Sequence, residues 1–183
     1  MSAAPRSTLG YALLGLLHAA PQSGYDLRKT FVVTPLAAFS DSPGAIYPAL
    51  RRLVRQRWIA PVSGGRTGRR RTPFVPTASG RQAFREWLRR PPTRDDVVRG
   101  WDVLMLRLAF MDAVPRTELR QFLRATRAEL RGYVAELEAF AAHHARQMPF
   151  AAQLAFASGV EGSRAQLGWI ESAIGRARKK GRT

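Results

Sequence analysis

The apolar and polar positions of the first forty residues predict two short helices separated by a turn. An apolar run over residues 9–18 predicts a buried helix with Thr8 as its N-cap. Ser23 and Asp26 have the spacing of a capping box, in which a serine oxygen and an acidic side chain satisfy the first free N–H groups of a helix. A second helix is therefore expected to begin there and to stop before Pro35.

An amphipathic helix follows, within the stretch SPGAIYPALRRLVRQRWI at residues 42–59. If this helix begins at Gly44 or Ala45, Pro48 falls in its first turn, where a missing N–H costs little. At about 100° per residue, one side of the helix carries apolar residues, with Val54 at its edge: Ile46, Ala49, Leu50 and Leu53. The opposite side carries Tyr47, Arg51, Arg52 and Arg55. One face thus suits a protein core and the other an anionic partner.

Two short β-prone segments then flank a basic loop. Residues 58–62 and 72–75 predict the strands of a hairpin, and the loop between them contains Arg66, Arg69, Arg70 and Arg71. Pro73 and Pro76 each remove a hydrogen-bond donor from the second strand. The hairpin is therefore expected to be short.

A fourth helix and a pair of prolines close the N-terminal half. Thr77 is placed to cap a helix over residues 78–90, which Pro91 and Pro92 terminate. This proline pair marks the boundary of a first domain that spans residues 8–90.

The C-terminal half is helical in pattern throughout. After Pro115, positions at alternating spacings of four and three form one stripe: Leu119, Leu123, Thr126, Leu130, Tyr133, Leu137, Phe140 and His144. A final helix repeats the alternation with Phe156, Val160, Ser163, Leu167, Ile170 and Ile174. Stripes of this length are typical of a coiled-coil-like dimerisation domain, which we assign to residues 95–178. The alternative is that the stripes pack only within one chain.

Charge points to a polyanionic partner. The net charge is +17, and residues 1–90 hold 15 basic and only 3 acidic side chains. Of the 30 basic residues 27 are arginine, which favours bidentate contacts with phosphate and guanine. The absence of cysteine excludes disulfides, thiolate metal sites and cysteine nucleophiles, and it agrees with a cytoplasmic location.

The order of elements explains why the third helix is so basic. Three helices, a strand, a basic loop and a strand within about 75 residues are the order of a winged helix-turn-helix, whose third helix enters the major groove of DNA. Arg51, Arg52, Arg55 and Tyr47 then become candidates for contacts with base or groove edges, and the loop arginines for a wing in or along the minor groove. The fold class expected is mainly α, with a small β-hairpin wing and a helical C-terminal domain.

These residues also resemble a known family, the PadR-like transcriptional regulators. The resemblance is carried by four motifs over about residues 9–90: LGLL at 14–17, SGYDL at 23–27, SPGAIYPALRRL at 42–53, and T-x-x-G at Thr77 and Gly80. It implies a homodimeric repressor of transcription that binds an inverted-repeat operator on double-stranded DNA. It also implies that Tyr47 and Arg51 lie near DNA, with Ser42 and Gly44 at the phosphate backbone. The wing departs from the family pattern, since its second strand contains two prolines.

Catalysis has no candidate residues in the sequence. None of the three histidines has a carboxylate or a second histidine at the spacing of a zinc site or a catalytic triad, and no nucleotide-binding loop or nucleophile motif occurs. We therefore expect a protein that is not an enzyme and that uses no cofactor and no metal.

An apolar pocket for a small aromatic or hydrophobic effector could be lined by Trp101, Tyr133, Phe140 and Trp169. The alternative is that these aromatic residues fill the core.

Two other functions are compatible with the same charge. A non-specific architectural protein would bind any duplex with equal affinity and a steep salt dependence. A protein–protein adaptor would use the helical half to bind a partner, and its function would survive replacement of Arg51 and Arg55 by alanine.

Overall fold

The computed structural model describes residues 7–39, 43–62 and 72–179. The chain divides into two compact units, Met1–Leu88 (the N-terminal unit) and Arg89–Thr183 (the C-terminal unit). The helices and strands of the first, in chain order, are α1 (Thr8–Ala19), β1 (Gln22–Ser23), α2 (Gly24–Val33), α3 (Ile46–Arg55), β2 (Ile59–Pro61), β3 (Pro73–Pro76) and α4 (Ala78–Arg89). Two 3-10 turns, Pro35–Phe39 and Pro43–Ala45, lie between α2 and α3.

Side-chain caps mark where α1 and α2 begin. Helix α2 has the predicted capping box: the Ser23 oxygen accepts from the Asp26 N–H, and the Asp26 carboxylate accepts from the Ser23 N–H. The prediction for α1 was wrong by one residue, because Ser7 and not Thr8 is its N-cap. Ser7 has extended backbone angles and accepts from the Gly10 N–H at 3.3 Å, whereas Thr8 already belongs to the first turn.

The core of the N-terminal unit lies where α1, α2, α3 and α4 converge. Its fully buried side chains include Leu13, Leu14, Leu27, Ile46 and Phe84. The Tyr11 ring of α1 stacks on the Trp87 ring of α4, with 4.5 Å between ring centroids. Packing of this kind, and not helix propensity, supplies most of the stability of helices of ten to twelve residues.

The sheet has three antiparallel strands in the order β1-β3-β2. Ala60 pairs with Val75 and Pro61 with Phe74, which confirms the predicted hairpin of β2 and β3. Pro73 lacks an N–H, but its carbonyl accepts from Val62 at 2.9 Å. Strand β1, a two-residue segment that pairs with the other edge of β3, was not predicted. Three helices and this sheet form a winged helix-turn-helix.

The described residues of the C-terminal unit form helices and no strand, with two 3-10 turns at Met111–Ala113 and Ala145–Gln147. Its helices are α5 (Arg94–Arg99), α6 (Trp101–Ala109), α7 (Arg116–His144) and α8 (Phe150–Lys179). Helices α7 and α8 pack against each other along their length, and they bury Leu123, Thr126 and Leu130 from the first predicted stripe and Val160, Ser163, Ile170 and Ile174 from the second. Part of each stripe is therefore used within the chain.

A buried arginine lies in the C-terminal unit. Arg107 of α6 is fully buried, with its guanidinium 4.9 Å from the centre of the Phe122 ring and donating to the Arg90 carbonyl. Burial, with the nearby charge of Arg90, lowers the pKa of Arg107 to about 10. Arginine is rarely buried unless its charge is compensated, so the sequence pattern did not reveal this residue as part of the core.

Candidate nucleic-acid interface

Helix α3 separates its residues into the two predicted faces. Ile46, Ala49, Leu50 and Leu53 are each 3 % exposed or less, whereas Tyr47 is 43 % exposed and Arg51, Arg52 and Arg55 are exposed. The apolar face packs against α1 and α2 and so fixes the rotation of the helix. The tyrosine and the three arginines consequently point to solvent as one group.

The start of α3 combines a 3-10 turn, a proline and an N-cap without a side-chain hydrogen bond. The helix begins at Ile46, one or two residues later than predicted, because Pro43–Ala45 forms a 3-10 turn. Pro48 is then its third residue, where the missing N–H removes no helical hydrogen bond. The N-cap residue Ala45 makes no side-chain cap. A helix start without a side-chain cap is a common binding place for phosphate oxygens.

The last turn of α3 is closed by backbone bonds around Arg57. Arg57 has a positive φ of 56°, its N–H donates to the Val54 carbonyl, and the Trp58 N–H donates to the Leu53 carbonyl. This is a Schellman motif, which normally places glycine at the left-handed position. The Arg57 carbonyl in turn accepts from the Thr77 hydroxyl at 2.6 Å.

Helix α4 begins against the same segment. Ser79 donates to the Arg57 carbonyl at 2.9 Å, and the Thr77 N–H donates to the Trp58 carbonyl at 2.9 Å. The Thr77 oxygen accepts from the Gly80 N–H, as predicted for the cap of α4. The end of α3 is thereby fastened to the start of α4.

An open groove of about 1030 Å³ runs along the exposed face of α3. It is bounded by the start of α2 and by the base of the hairpin, and its lining includes Gly24, Tyr25, Tyr47, Leu50, Arg51, Arg52, Val54, Arg55, Pro61 and Phe74. A Cβ atom at Gly24 would lie 3.0 Å from the Tyr47 ring and 3.1 Å from Leu50. Because Gly24 has no side chain, the start of α2 can lie this close to Tyr47 and Leu50 of α3.

The arginines of this groove are not neutralised by the described residues of the chain. None of Arg51, Arg52 and Arg55 has a carboxylate within ion-pair distance among residues 7–39, 43–62 and 72–179. Two of the three acidic residues before position 91 have other roles, since Asp26 closes the capping box and Glu86 accepts from Gln82. The groove is thus strongly positive.

The C-terminal unit uses its arginines differently. Six of them form ion pairs with acidic residues of the same unit: Arg89, Arg90, Arg94, Arg99, Arg131 and Arg164. Arg89 makes a bidentate pair with Glu118, and this hydrogen bond holds the pKa of Glu118 below its ordinary value. The contrast shows that arginine-rich composition alone does not explain the uncompensated charge of α3.

Several predicted contact residues lie outside the described part of the chain. These are Ser42 and the loop arginines Arg66, Arg69, Arg70 and Arg71. Of the described candidates, Gly44 is exposed in the 3-10 turn that precedes α3.

Three residues that line the groove were not predicted as part of the interface. Tyr25 and Phe74 were not considered, and Val54 was placed at the edge of the core. In the sequence, Tyr25 belongs to the SGYDL motif, Phe74 to the second predicted strand and Val54 to the basic helix itself.

The four residues predicted for an effector pocket fall into three contact groups. Trp101 packs edge-on against Trp169 at 6.4 Å between centroids, and Phe140 lies 5.3 Å from the Phe156 ring. Tyr133 instead lies under the Arg94 guanidinium, 5.9 Å from its ring centre. One pocket lined by all four therefore stays a prediction.

Among the described residues, no group of three or more histidine, aspartate or glutamate side chains could hold a metal ion. None of the helices in this part of the chain is long and apolar enough to cross a membrane.

Comparison with known proteins identifies two matched regions. Residues 13–86 match the model of the transcriptional regulator PadR-like family, and residues 102–177 match that of the virulence activator alpha C-terminal domain. The negative transcriptional regulator PadR of Bacillus subtilis is 27 % identical over 177 residues, which cover 91 % of this chain and 95 % of that protein.

Solved structures of similar length were also found. The crystal structure of Bacillus subtilis PadR in complex with operator DNA is 24 % identical, with 94 % of this chain and 99 % of that chain covered and a TM-score of 0.45. The Vibrio cholerae virulence activator AphA is 20 % identical, with the same coverages of 94 % and 99 % and a TM-score of 0.39. The two matched regions together span most of the chain, which is thus similar to the PadR-like family of transcriptional regulators in its N-terminal half and matches the virulence activator alpha C-terminal domain in its C-terminal half.

Proposed function

We propose that this protein is a sequence-specific DNA-binding repressor that acts in the cytoplasm as a homodimer on an inverted-repeat operator. The observation that carries the proposal is the exposed face of α3, where Tyr47 and three arginines project together without carboxylate partners among the described residues. A helix of ten residues with this face is of the size that enters a major groove.

Two kinds of contact are combined in the proposed complex. The uncapped start of α3, with Gly44 beside it and Ser42 before it, binds the phosphate backbone and sets the register of the helix. Arg51 and Arg55, with Tyr47 and Arg52, read base or groove edges, since a guanidinium forms two hydrogen bonds with guanine. The wing arginines Arg66, Arg69, Arg70 and Arg71 bind in or along the minor groove.

Dimerisation through the C-terminal unit is supported by apolar side chains that the chain itself leaves exposed. On α7 and α8, Phe140 is 44 % exposed, Phe150 74 %, Leu154 57 % and Trp169 40 %. A second copy would cover such a surface, and a dimer would present two α3 helices to the two halves of a palindrome. Sedimentation of the full chain measures this directly: a monomer at micromolar concentration, with or without DNA, contradicts the dimer.

Repression is supported by the name of the curated relative, which is a negative regulator.

Release by a small aromatic or hydrophobic effector is supported by the exposed Trp169, whose ring packs against that of Trp101. Trp101, Tyr133, Phe140 and Trp169 remain the proposed effector residues. A ligand that binds there quenches tryptophan fluorescence, and Trp169→Phe abolishes most of that change.

The test of DNA binding compares a duplex from upstream of the protein's own gene with a scrambled duplex of the same composition. Specific regulators favour their site by about 10³-fold or more at physiological salt. The titration is repeated from about 50 to 200 mM salt, because phosphate neutralisation alone weakens steeply over this range. Equal binding to both duplexes, and to every genomic fragment screened, contradicts the proposal and favours the architectural function.

Three variants separate base reading from charge. Arg51→Lys keeps the positive charge and loses the bidentate fork, so specific affinity is expected to fall about 5- to 100-fold while binding to the scrambled duplex is unchanged. Arg51→Ala also weakens binding to the scrambled duplex. Arg85→Ala on α4 is the matched control, since it removes one exposed cation of the same unit that does not line the groove. If Arg51 and Arg55 can both become alanine without loss of function, the adaptor alternative is supported.

A further inference from the structure

One apolar side chain interrupts the polar face of α3. Val54 is 39 % exposed and lines the groove, three residues after Arg51 and seven after Tyr47. These spacings place the three side chains on one strip of the helix surface. Leu50 and Leu53 are each 3 % exposed and pack into the core, whereas the outward side of Val54 faces the groove.

Val54 continues into an apolar floor. The groove also contains Leu50 from α3 and Pro61 and Phe74 from the base of the hairpin, where these last two residues are paired across β2 and β3. Arg51 and Arg55 border this floor and carry uncompensated charge. The site therefore combines a small apolar surface with flanking cations, which suits a polyanion that also offers an apolar group.

DNA offers one such group in the major groove. Thymine presents a C5-methyl there, whereas the other base edges present hydrogen-bond donors and acceptors. We propose, on the basis of the proposed DNA-binding function, that Val54 determines specificity by contacting the 5-methyl group of a thymine in each operator half-site. Val54 lies about 4.5 Å along the helix axis from Arg51, so this thymine lies within one or two base pairs of the base that Arg51 contacts.

The competing explanation is that Val54 only shields the edge of the core. A shielding role predicts that Val54→Ala lowers stability and leaves base preference unchanged. The two roles therefore separate when binding is measured on duplexes that differ by a single methyl group, because uracil and thymine have the same hydrogen-bonding edges.

The experiment uses the full-length protein and the duplex that wild-type protein selects from a randomised pool. Each thymine of one half-site is replaced in turn by deoxyuridine, and affinities are measured for the wild type, Val54→Ala and Val32→Ala. The last is a matched control, since Val32 is a 62 % exposed valine on α2 that does not line the groove. Thermal unfolding of all three proteins is recorded alongside.

At one thymine position, loss of the methyl group is expected to weaken the wild type and Val32→Ala about fourfold. Val54→Ala is expected to bind the thymine duplex about as weakly as the wild type binds the uracil duplex, and to be indifferent to that replacement. Wild-type protein that is indifferent to deoxyuridine at every position, or Val54→Ala that remains equally sensitive, overturns the role of Val54 alone. Failure of the pool to yield any preferred sequence overturns the proposed function and this inference with it.

Discussion

Gly80 is a position where a single added methyl group should strongly destabilise the N-terminal unit. A Cβ atom there would lie 2.8 Å from the carbonyl carbon and 3.0 Å from the Cα of Trp58, closer still to the carbonyl oxygen. All of these atoms belong to the backbone, so no side-chain rotation relieves the overlap. Gly80→Ala must therefore move the start of α4 away from the end of α3.

The cost follows from the bonds that this movement breaks. The Thr77 N–H donates to the Trp58 carbonyl at 2.9 Å, and the Gly80 N–H donates to the Thr77 hydroxyl at 3.1 Å. Leaving one such group unsatisfied and straining its neighbours costs about 3–5 kcal/mol, against which alanine gains about 1 kcal/mol of helix propensity. The net loss is about 2–4 kcal/mol, a large share of the stability of a unit of this size.

Gly10→Ala is the matched control in the same unit. Its Cβ would meet the Ser7 oxygen at 3.5 Å and a Leu53 methyl at 3.8 Å, which are ordinary contacts. Urea unfolding followed by near-ultraviolet circular dichroism should show Gly80→Ala strongly destabilised and Gly10→Ala unchanged or more stable by up to about 1 kcal/mol. If Gly80→Ala is as stable as the wild type, the close approach of α4 to Trp58 is refuted.

Three further substitutions test other parts of the structure. Arg57→Gly relieves a left-handed backbone and should raise the free energy of unfolding by about 1 kcal/mol, whereas Arg57→Ala keeps the strain and should not; equal stability of the two variants contradicts this reason. Arg89→Gln should lower stability at neutral pH in urea titrations, because the ion pair holds the folded pKa of Glu118 below its ordinary 4.5. The stabilisation by this ion pair is present above the ordinary pKa of glutamate and is lost as pH falls through the folded-state pKa of Glu118. The free energies of unfolding of the two proteins should therefore converge in acid. A stability difference that persists in acid refutes this explanation. Ser23→Ala removes the cap of α2 and should cost about 1 kcal/mol, measured by thermal unfolding, while Ser158→Ala, at an exposed site on α8, should cost little.

The features that sequence predicted are those encoded by neighbouring residues. The two faces of α3 follow from the angular spacing of Leu50, Arg51 and their neighbours, and the cap of α2 follows from Ser23 and Asp26 alone. The hairpin was marked by its turn and by the composition of its strands. Each of these signals spans fewer than about twenty residues, so no tertiary contact was needed to recognise it.

The features that sequence did not predict depend on distant contacts. Strand β1 is only two residues long and exists because Gln22 reaches Phe74, fifty-two positions later. No glycine marks the left-handed position at Arg57, and its carbonyl is bound by Ser79 of α4 and by Thr77, the cap of that helix. Val54 was assigned to the edge of the core because helical spacing does not show that β2 and β3 extend the groove beside it.

The fastening of α3 has a consequence for how this regulator could acquire new targets. Its apolar face is locked into the core, and the carbonyl of Arg57 binds two hydroxyls from the start of α4. A helix held in this way keeps its orientation when the side chains of its outer face are exchanged. Under the proposed function, substitutions at positions 47, 51, 54 and 55 would therefore change operator preference while the fold beneath them stays the same.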